Sequence, residues 1–282
     1  MLNSYGRIFF PRPSESSGFF SNYFSALSTM EDCITKKLIP YVDSTDTWFN
    51  PTCDFEKDLV LDSTINPWNW WFVQEVEKGA TFVDVKLNRG AIPQAPSIFL
   101  SYPTIPRFKE ISKAYCKIQP RILEEEEQLY KKYLADKNTL GILARGTEML
   151  AHHKEYPKVN AQEWPKIINF VLNHHPEIDN IFLVSDDSRI LKSIIDAFPK
   201  TKYLEHFFRS TNQTEEKFLN AKQPWWLESP IGDPNHRKRL GEECLIQTRL
   251  LARCNYYLGC YSGMNNAVNF FVETPFKASY LT

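Results

Sequence analysis

The clearest indication of how this chain folds is Thr139-Leu-Gly-Ile-Leu-Ala144, followed directly by Arg145-Gly-Thr-Glu148. A mostly apolar run of this length is typical of a buried strand, and the small and polar residues after it predict a turn. The same pattern returns where Asn180-Ile-Phe-Leu-Val184 runs into Ser-Asp-Asp187. Two such strands separated by a helical pattern predict a parallel sheet of the α/β class.

The rest of the C-terminal half continues this alternation of helices and strands. The spacing of apolar residues predicts helices over 161–173, 188–198 and 241–253, strands at 202–204 and 256–259, and a closing helix from about 265. Ligands bind beyond the carboxyl ends of the strands in open α/β sheets. We therefore expect the polar strand ends at Arg145, Asp186 and Ser262 to line one crevice.

The N-terminal half opens with a strand, a helix and a second strand. A strand over 7–10 ends at Pro11, and a loop rich in serine, glycine and proline follows. Apolar residues at helical spacing predict an amphipathic helix over 21–37, with Ser21 or Asn22 as its N-cap. Gly18 is expected to supply an unusual backbone angle before this helix. A strand over 38–42 then completes a βαβ unit.

The middle of the chain is less regular. The segment 43–106 is rich in tryptophan and proline and has a possible strand at 81–87. One long helix is predicted after Pro106, ending near Lys137, and the acidic run 124–127 within it indicates a solvated face. We therefore expect two α/β domains, over 1–137 and 138–282.

Composition limits the kinds of partner and compartment. The formal net charge is −1, so no global field favours nucleic acid or an anionic membrane. No apolar run is long enough to span a bilayer, and the N-terminus lacks the long apolar segment of a signal peptide. We expect a cytoplasmic protein. The six cysteines are scattered without a CxxC pair, which predicts reduced thiols and no structural zinc.

Arg145 and its neighbours form the first candidate site. A planar guanidinium suits two oxygens of a phosphate or carboxylate. Gly146 lets an anion approach the backbone closely, and Thr147 adds a hydroxyl donor. A structural salt bridge of Arg145 is an equal alternative.

Two further strand ends carry candidate residues. Asp186 and Asp187 can cap the next helix, bind the ribose or base of a nucleotide, or form a metal-binding pair, with capping favoured for Asp187. Ser262 and Gly263 precede the final helix, where a donor-rich turn suits a phosphate. A simple N-cap is the alternative there, and the two roles are compatible.

Two other segments have both a structural and a functional interpretation. The basic run 236–239 is expected to be a solvated loop, with contact to an anionic substrate as the alternative. The aromatic cluster at Trp68, Trp70 and Trp71 suits stacking on a sugar, but packing in the core is favoured.

Taken in order, these segments resemble the fucosyltransferase-like superfamily, which includes nodulation, core α1,6- and protein O-fucosyltransferases. Gly-Ile-Leu-Ala-Arg145-Gly-Thr-Glu148 is similar to its His-x-Arg-x-Thr-Asp motif, and Phe182-Leu-Val-Ser-Asp-Asp187 to its Phe-x-x-Thr-Asp-Asp segment. The stretch 250–263 resembles its C-terminal block of helix, strand and Ser-Ser/Gly. Gly18-Phe-Phe-Ser-Asn22 and 39–43 resemble its opening loop and the following strand.

The resemblance implies a GT-B-like fold, in which two Rossmann-like halves face a central cleft. Residues 1–137 would be the acceptor-side domain, and 138–282 the donor-binding domain. The family transfers sugars with inversion and without a metal or other cofactor, and GDP-fucose is the expected donor. Arg145 would bind the β-phosphate, Asp186 or Asp187 the nucleoside, and Ser262 and Gly263 the phosphates. Further donor contacts, across the cleft, are implied for Gly18, Phe20, Ser21 and Asn22.

Two positions differ from the family's motif. Leu143 stands where the family has histidine, which removes a polar contact to the donor, and Glu148 stands where it has aspartate. Glu148 is the candidate general base that deprotonates the acceptor hydroxyl. A structural ion pair is the alternative for this residue.

The expected partners are a nucleotide sugar and a glycan acceptor of a cell-surface polysaccharide, and no nucleic acid. The reaction would take place in the cytoplasm or at the inner face of the membrane, with contact to a membrane-linked glycan. Three alternatives stay open: a different nucleotide sugar, a metal-dependent transferase using Asp186 and Asp187, and an inactive glycan-binding protein on the same fold.

Overall fold

The computed structural model describes most of the chain and shows two compact units. The described residues are 4–10, 18–54, 57, 59–87, 104–146, 159–207, 209 and 235–282, without the side chains of 104 and 105. Unit 1 combines Met1–Leu123 with Leu227–Glu242, and unit 2 combines Glu124–Trp226 with Glu243–Thr282. Both units contain helices and a parallel sheet, so the predicted α/β class is confirmed.

Unit 1 is built on a three-stranded parallel sheet. In chain order its elements are β1 (Ser4–Phe9), α1 (Phe19–Thr35), β2 (Ile39–Asp43), β3 (Cys53–Asp54), β4 (Leu59–Val60), α2 (Trp68–Trp71), β5 (Phe72–Val73), β6 (Thr81–Lys86), α3 (Thr104–Tyr115) and β7 (Lys117–Ile118). Strands β2, β1 and β6 form the sheet in that order, and α1 connects β1 to β2. The predicted βαβ unit is therefore confirmed.

Unit 2 is built on a four-stranded parallel sheet. Its elements are β8 (Thr139–Ala144), α5 (Trp164–His174), β9 (Asn180–Ser185), α6 (Ser188–Ala197), β10 (Tyr256–Gly259), α8 (Gly263–Phe271) and β11 (Ala278–Leu281). Two further helices, α4 (Pro120–Tyr133) and α7 (His236–Ala252), cross the boundary between the units. The strand order is β11-β10-β8-β9. Every residue of β8 is buried, as its apolar sequence predicts.

The core of unit 2 explains why β8, β9 and β10 form here. Leu140, Ile142 and Leu258 are fully buried or nearly so, and they pack with Trp164 and Ile194 from the helices. Burying one such side chain contributes roughly 1.5–3 kcal/mol. The sheet is therefore fixed by apolar strand residues, and the polar residues that follow the strands are left at its edge.

Three local predictions are wrong: the start of α1, the backbone angle of Gly18 and the strand at 202–204. Helix α1 begins at Phe19, two residues earlier than predicted, and Gly18 is its N-cap. The ring of Phe19 is buried, so packing includes this residue in the helix. Ser21 and Asn22 are therefore not the cap. Gly18 has φ −58° and ψ 159°, which any residue can adopt, so the expected unusual angle is absent. The strand expected at 202–204 is a single bridge between Lys202 and Phe182.

The single long helix predicted after Pro106 is two helices, α3 and α4, with β7 between them. Pro120 is the first residue of α4, where its missing N–H costs nothing. The acidic run in α4 is not a fully solvated face. Glu126 is only 2% exposed and pairs with Arg249 and Arg253.

The basic run 236–239 is the first turn of α7 and not a loop, and His236 is buried. In the tryptophan cluster, Trp68 and Trp71 are buried among Phe19, Tyr23 and other rings. Core packing, the favoured interpretation, is therefore confirmed for these two.

All six cysteines are described and free, and four of them are buried: Cys33, Cys53, Cys116 and Cys254. Within the described residues, no helix combines the length and the hydropathy needed to cross a membrane.

Candidate functional site

The polar strand ends of unit 2 lie side by side. Strands β10, β8 and β9 are neighbours and all run parallel, so their carboxyl ends share one edge of the sheet. Arg145 follows β8, Asp186 follows β9, and Ser262 lies in the short loop after β10. Within unit 2, the structure thus brings together the three strand ends that the sequence singled out.

Arg145 and Asp186 form a salt bridge. Oδ2 of Asp186 lies 3.1 Å from Nε and 3.0 Å from an Nη atom of Arg145, and each side chain is 21% exposed. Oδ1 of the same carboxylate accepts the N–H of Gly146 at 3.1 Å. A guanidinium has five N–H groups, and Asp186 takes two of them. The structural salt bridge, one of the two interpretations of Arg145, is present.

Asp187 performs the capping role that was favoured for it. Its Oδ1 accepts the backbone N–H of Arg189 at 2.8 Å, which caps α6, and its Oδ2 accepts an Nη of Arg189 at 2.6 Å. The side chain is only 2% exposed. A Cβ on Gly146 would lie 2.3–2.9 Å from atoms of Asp187. Glycine is therefore required at position 146 for this close packing.

Ser262 caps α8, the helix that begins at Gly263. Its hydroxyl accepts the N–H of Asn265 at 3.1 Å, and the backbone at Ser262 is extended. The amide oxygen of Asn265 also accepts the hydroxyl of Tyr257 at 2.9 Å. This turn holds the positive end of the α8 dipole at the same sheet edge as Arg145.

Two cysteines beside Arg145 were not predicted as site residues. Burial raises the pKa of Cys260 to about 11. A hydrogen bond from the backbone of Arg145 and the positive charge of its side chain lower the pKa, but by less. Burial likewise raises the pKa of Cys244, on α7, to about 12, and Arg145 again opposes the shift. Both thiols are therefore neutral at pH 7. The sequence contained one signal for Cys260: it comes directly after strand β10, just as Arg145 comes directly after strand β8.

The remaining predicted residues divide between unit 1 and the part of the chain that is not described. Gly18 and Ser21 are exposed at the start of α1, whereas Phe20 and Asn22 are buried. Thr147 and Glu148 lie outside the described residues. Among the described residues, no group of three or more His, Cys, Asp or Glu side chains could hold a metal ion.

Comparisons with known proteins support the fold. No protein-family model matches the chain, and neither does any curated protein. Solved structures do match. NodZ α-1,6-fucosyltransferase soaked with GDP-fucose has a TM-score of 0.55 and 13% identity, over 95% of this chain and 93% of that one. The same enzyme co-crystallised with GDP has a TM-score of 0.55 and 12% identity, over 96% and 93%.

A third structure, the fucosyltransferase NodZ from Bradyrhizobium, has a TM-score of 0.55 and 12% identity, over 96% of this chain and 94% of that one. Agreement over nearly the whole of both chains at such low identity is a likeness of fold. The expected resemblance is therefore confirmed at that level: this chain has the GT-B-like α/β fold of the NodZ fucosyltransferase.

Proposed function

We propose that this chain is a glycosyltransferase that moves a sugar, expected to be fucose, from a GDP-sugar to a hydroxyl of a glycan. The observation that carries the proposal is the sheet edge of unit 2, where Arg145 stands beside the capped N-terminus of α8. Two of the solved structures that share the fold were soaked with GDP-fucose or co-crystallised with GDP.

In the proposed mechanism Arg145 binds the β-phosphate of the donor. The leaving nucleoside diphosphate gains negative charge as the sugar departs, and a fixed guanidinium stabilises that charge most in the transition state. The backbone N–H groups at Ser262 and Gly263 add donors at a positive helix end. These groups supply the stabilisation that a divalent metal gives elsewhere, so the proposal requires no metal.

The acceptor hydroxyl must lose a proton as it attacks, and the proposal gives this role to Glu148. Attack from the side opposite the leaving diphosphate inverts the anomeric centre. Thr147 would donate a hydrogen bond to the donor, and Gly146 would allow the diphosphate to approach the backbone. The proposed acceptor is a glycan of a cell-surface polysaccharide, modified in the cytoplasm or at the inner face of the membrane.

Thermal unfolding with GDP, UDP and CDP, each with and without EDTA, tests the donor site. A nucleotide at a hundred times its Kd stabilises the folded state by about 2.7 kcal/mol, which raises the Tm by several degrees. We expect a shift with GDP that EDTA does not change and that is lost in Arg145→Ala. Arg145→Lys is the companion variant, since it keeps the charge but loses the planar fork.

No shift with any nucleotide would reject the transferase and leave the inactive glycan-binding protein as the better description. A shift that EDTA abolishes would support the metal-dependent alternative. A metal-independent shift with UDP or CDP in place of GDP would keep the transferase and change its donor. Transfer of labelled fucose from GDP-fucose to a panel of glycans then identifies the acceptor class.

A further inference from the structure

The carboxylate of Asp186 holds both the side chain and the backbone of the segment that carries Arg145. Its Oδ2 accepts two guanidinium N–H groups at 3.0–3.1 Å, and its Oδ1 accepts the N–H of Gly146 at 3.1 Å. One carboxylate therefore fixes Arg145 at the far end of its side chain and at the peptide that follows it.

The sheet itself sets this pair in place. Ala144 of β8 is in register with Ser185 of β9. Arg145 and Asp186 are the next residues on two hydrogen-bonded strands, so they meet without any rearrangement of a loop. Their positions follow from the register of the buried sheet.

The neighbouring acid cannot substitute for Asp186. The carboxylate of Asp187 is almost fully buried and is committed to the N-cap of α6 and to the guanidinium of Arg189. The two consecutive aspartates thus have separate tasks. Asp187 builds the start of a helix, and Asp186 acts on Arg145.

We propose that Asp186 is a positioning residue which orients Arg145 for the transition state and, through its negative charge, weakens the binding of the donor diphosphate. The inference rests on the proposed function, and it differs from the role of nucleoside contact that the resemblance implies. A carboxylate 3 Å from the guanidinium offsets part of the positive charge that a diphosphate would meet. In return it holds that guanidinium in one orientation, and orientation is what accelerates the chemical step.

The discriminating variant is Asp186→Asn, measured against wild type for GDP affinity by calorimetry and for transfer from GDP-fucose. We expect the Kd for GDP to fall by about threefold to tenfold, because Arg145 keeps its charge and loses its counter-charge. We expect kcat to fall by about tenfold to a hundredfold. An asparagine has one acceptor oxygen in place of two, so it cannot hold both the guanidinium and the N–H of Gly146. Tighter binding with slower transfer is a combination that a purely structural role does not produce.

Asp196→Asn is the matched control. It removes one negative charge from the same unit at an exposed side chain on α6 that pairs only with Lys192 among the described residues. GDP affinity and kcat should both match wild type. Weaker GDP binding in Asp186→Asn, with kcat retained, would overturn the proposal in favour of a nucleoside contact. Equal losses of affinity, kcat and thermal stability would reduce Asp186 to a structural residue.

A measurement without ligand separates this inference from the proposed function. In the ¹H–¹⁵N spectrum of the free protein, the Nε–H of Arg145, assigned by its loss in Arg145→Lys, should be protected from exchange and should shift in Asp186→Asn. If wild type binds no GDP, the proposed function fails, and with it the effect on affinity. If the Nε–H signal exchanges freely in wild type, the positioning role fails even when GDP binds. The exchange protection measured in wild type still tests the positioning role if the Asp186→Asn protein is too unstable for kinetics.

Discussion

Gly18 and Gly146 both stand between a strand and a later helix, yet the structure constrains them very differently. A Cβ at Gly146 would lie 2.3–2.9 Å from the side chain of Asp187, and the N–H of Gly146 donates to Asp186. Gly18 has an ordinary backbone conformation, and among the described residues, its chain neighbours aside, no heavy atom lies within 4 Å of the place of its Cβ. The two positions look alike in the sequence, and only packing distinguishes them.

Gly146→Ala should therefore destabilise the protein. The added methyl group must displace the buried carboxylate of Asp187, which costs about 1–3 kcal/mol for overpacking and puts the N-cap of α6, worth about 1 kcal/mol, at risk. Urea unfolding measures the loss. Gly18→Ala is the control. Alanine restricts the unfolded chain but is a poorer N-cap than glycine, so the two effects oppose each other and the net change should stay within about 1 kcal/mol. Equal stabilities for the two variants would contradict the close packing at Gly146.

At this scale the sequence predicted where the site residues lie but not how they pair. It identified Arg145, Asp186 and Ser262 as strand ends, since an apolar run followed by polar residues is a local signal. It favoured Asp187 as the cap of α6, as the structure has it, but left open whether Arg145 makes a salt bridge. The salt bridge depends on the register between β8 and β9, which joins residues far apart in the chain.

Helix α4 shows the same limit for an element. Four consecutive acids predict a solvated face, but Glu126 accepts hydrogen bonds from Arg249 and Arg253 and is 2% exposed. Arg249 lies in the last turn of α7, and Arg253 follows the end of that helix four residues later, so the two guanidinium groups lie on the same side. Glu126 and the two arginines form one partly buried network only when α4 and α7 pack against each other.

Glu126→Ala should cost about 1–3 kcal/mol of folding free energy. Removing one partner of a buried ion pair leaves the other charge uncompensated, and the loss is moderated here because Arg249 and Arg253 are 26% and 34% exposed. Glu124→Ala, the same change at an exposed position of the same helix, should stay within about 0.5 kcal/mol of wild type. Chemical denaturation of both variants makes the comparison, and similar losses would mean that burial of Glu126 does not matter.

The elements that the sequence predicted best are the long or strongly apolar ones, such as β8, β9 and α1. Strand β11 was missed because it has four residues of alternating exposure and gains its order only by pairing with β10. The break between α3 and α4 was also missed. A signal was present there, since Pro120 is a typical first residue of a helix.

For the whole molecule, the sequence did not predict which segments of the chain make up unit 1. The segment Leu227–Glu242 belongs with the N-terminal residues. The described part of it is held there by Trp71, whose indole N–H donates to the carbonyl of Lys238 at 3.0 Å and whose ring packs against Gly241. No pattern in the sequence predicts that a late segment of the chain packs with the N-terminal residues. The assignment of one half to the acceptor and the other to the donor stays a prediction.

The cysteines give a prediction for the whole molecule. Burial raises the pKa of Cys33 and Cys260 to about 11 and of Cys244 to about 12, and it raises the pKa of Cys116 and Cys254 further. The native state therefore keeps protons on thiols that the unfolded chain loses near pH 9. Stability from this source is complete below about pH 9 and is lost as the pH rises toward 11.

Two measurements check this expectation. The free energy of unfolding, followed by urea titration, should decrease between about pH 9 and pH 11. Ellman's reagent at pH 8 should react slowly with the native protein and rapidly with all six thiols in guanidinium chloride. Rapid reaction of several thiols in the native state would show that the cysteines are far more accessible than the structure has them.

Four of the six native thiols are buried, and the pKa values of the other two, Cys244 and Cys260, are raised. The protein is therefore suited to site-directed fluorescence labelling. Cysteines introduced at exposed positions, for example Lys113→Cys in unit 1 and Lys200→Cys in unit 2, would react with maleimide dyes much faster than the natural ones. A donor and an acceptor dye could then be attached without first replacing six residues. Energy transfer between the dyes, recorded as GDP is added, would follow any movement of the two units in a chain that is otherwise of natural sequence.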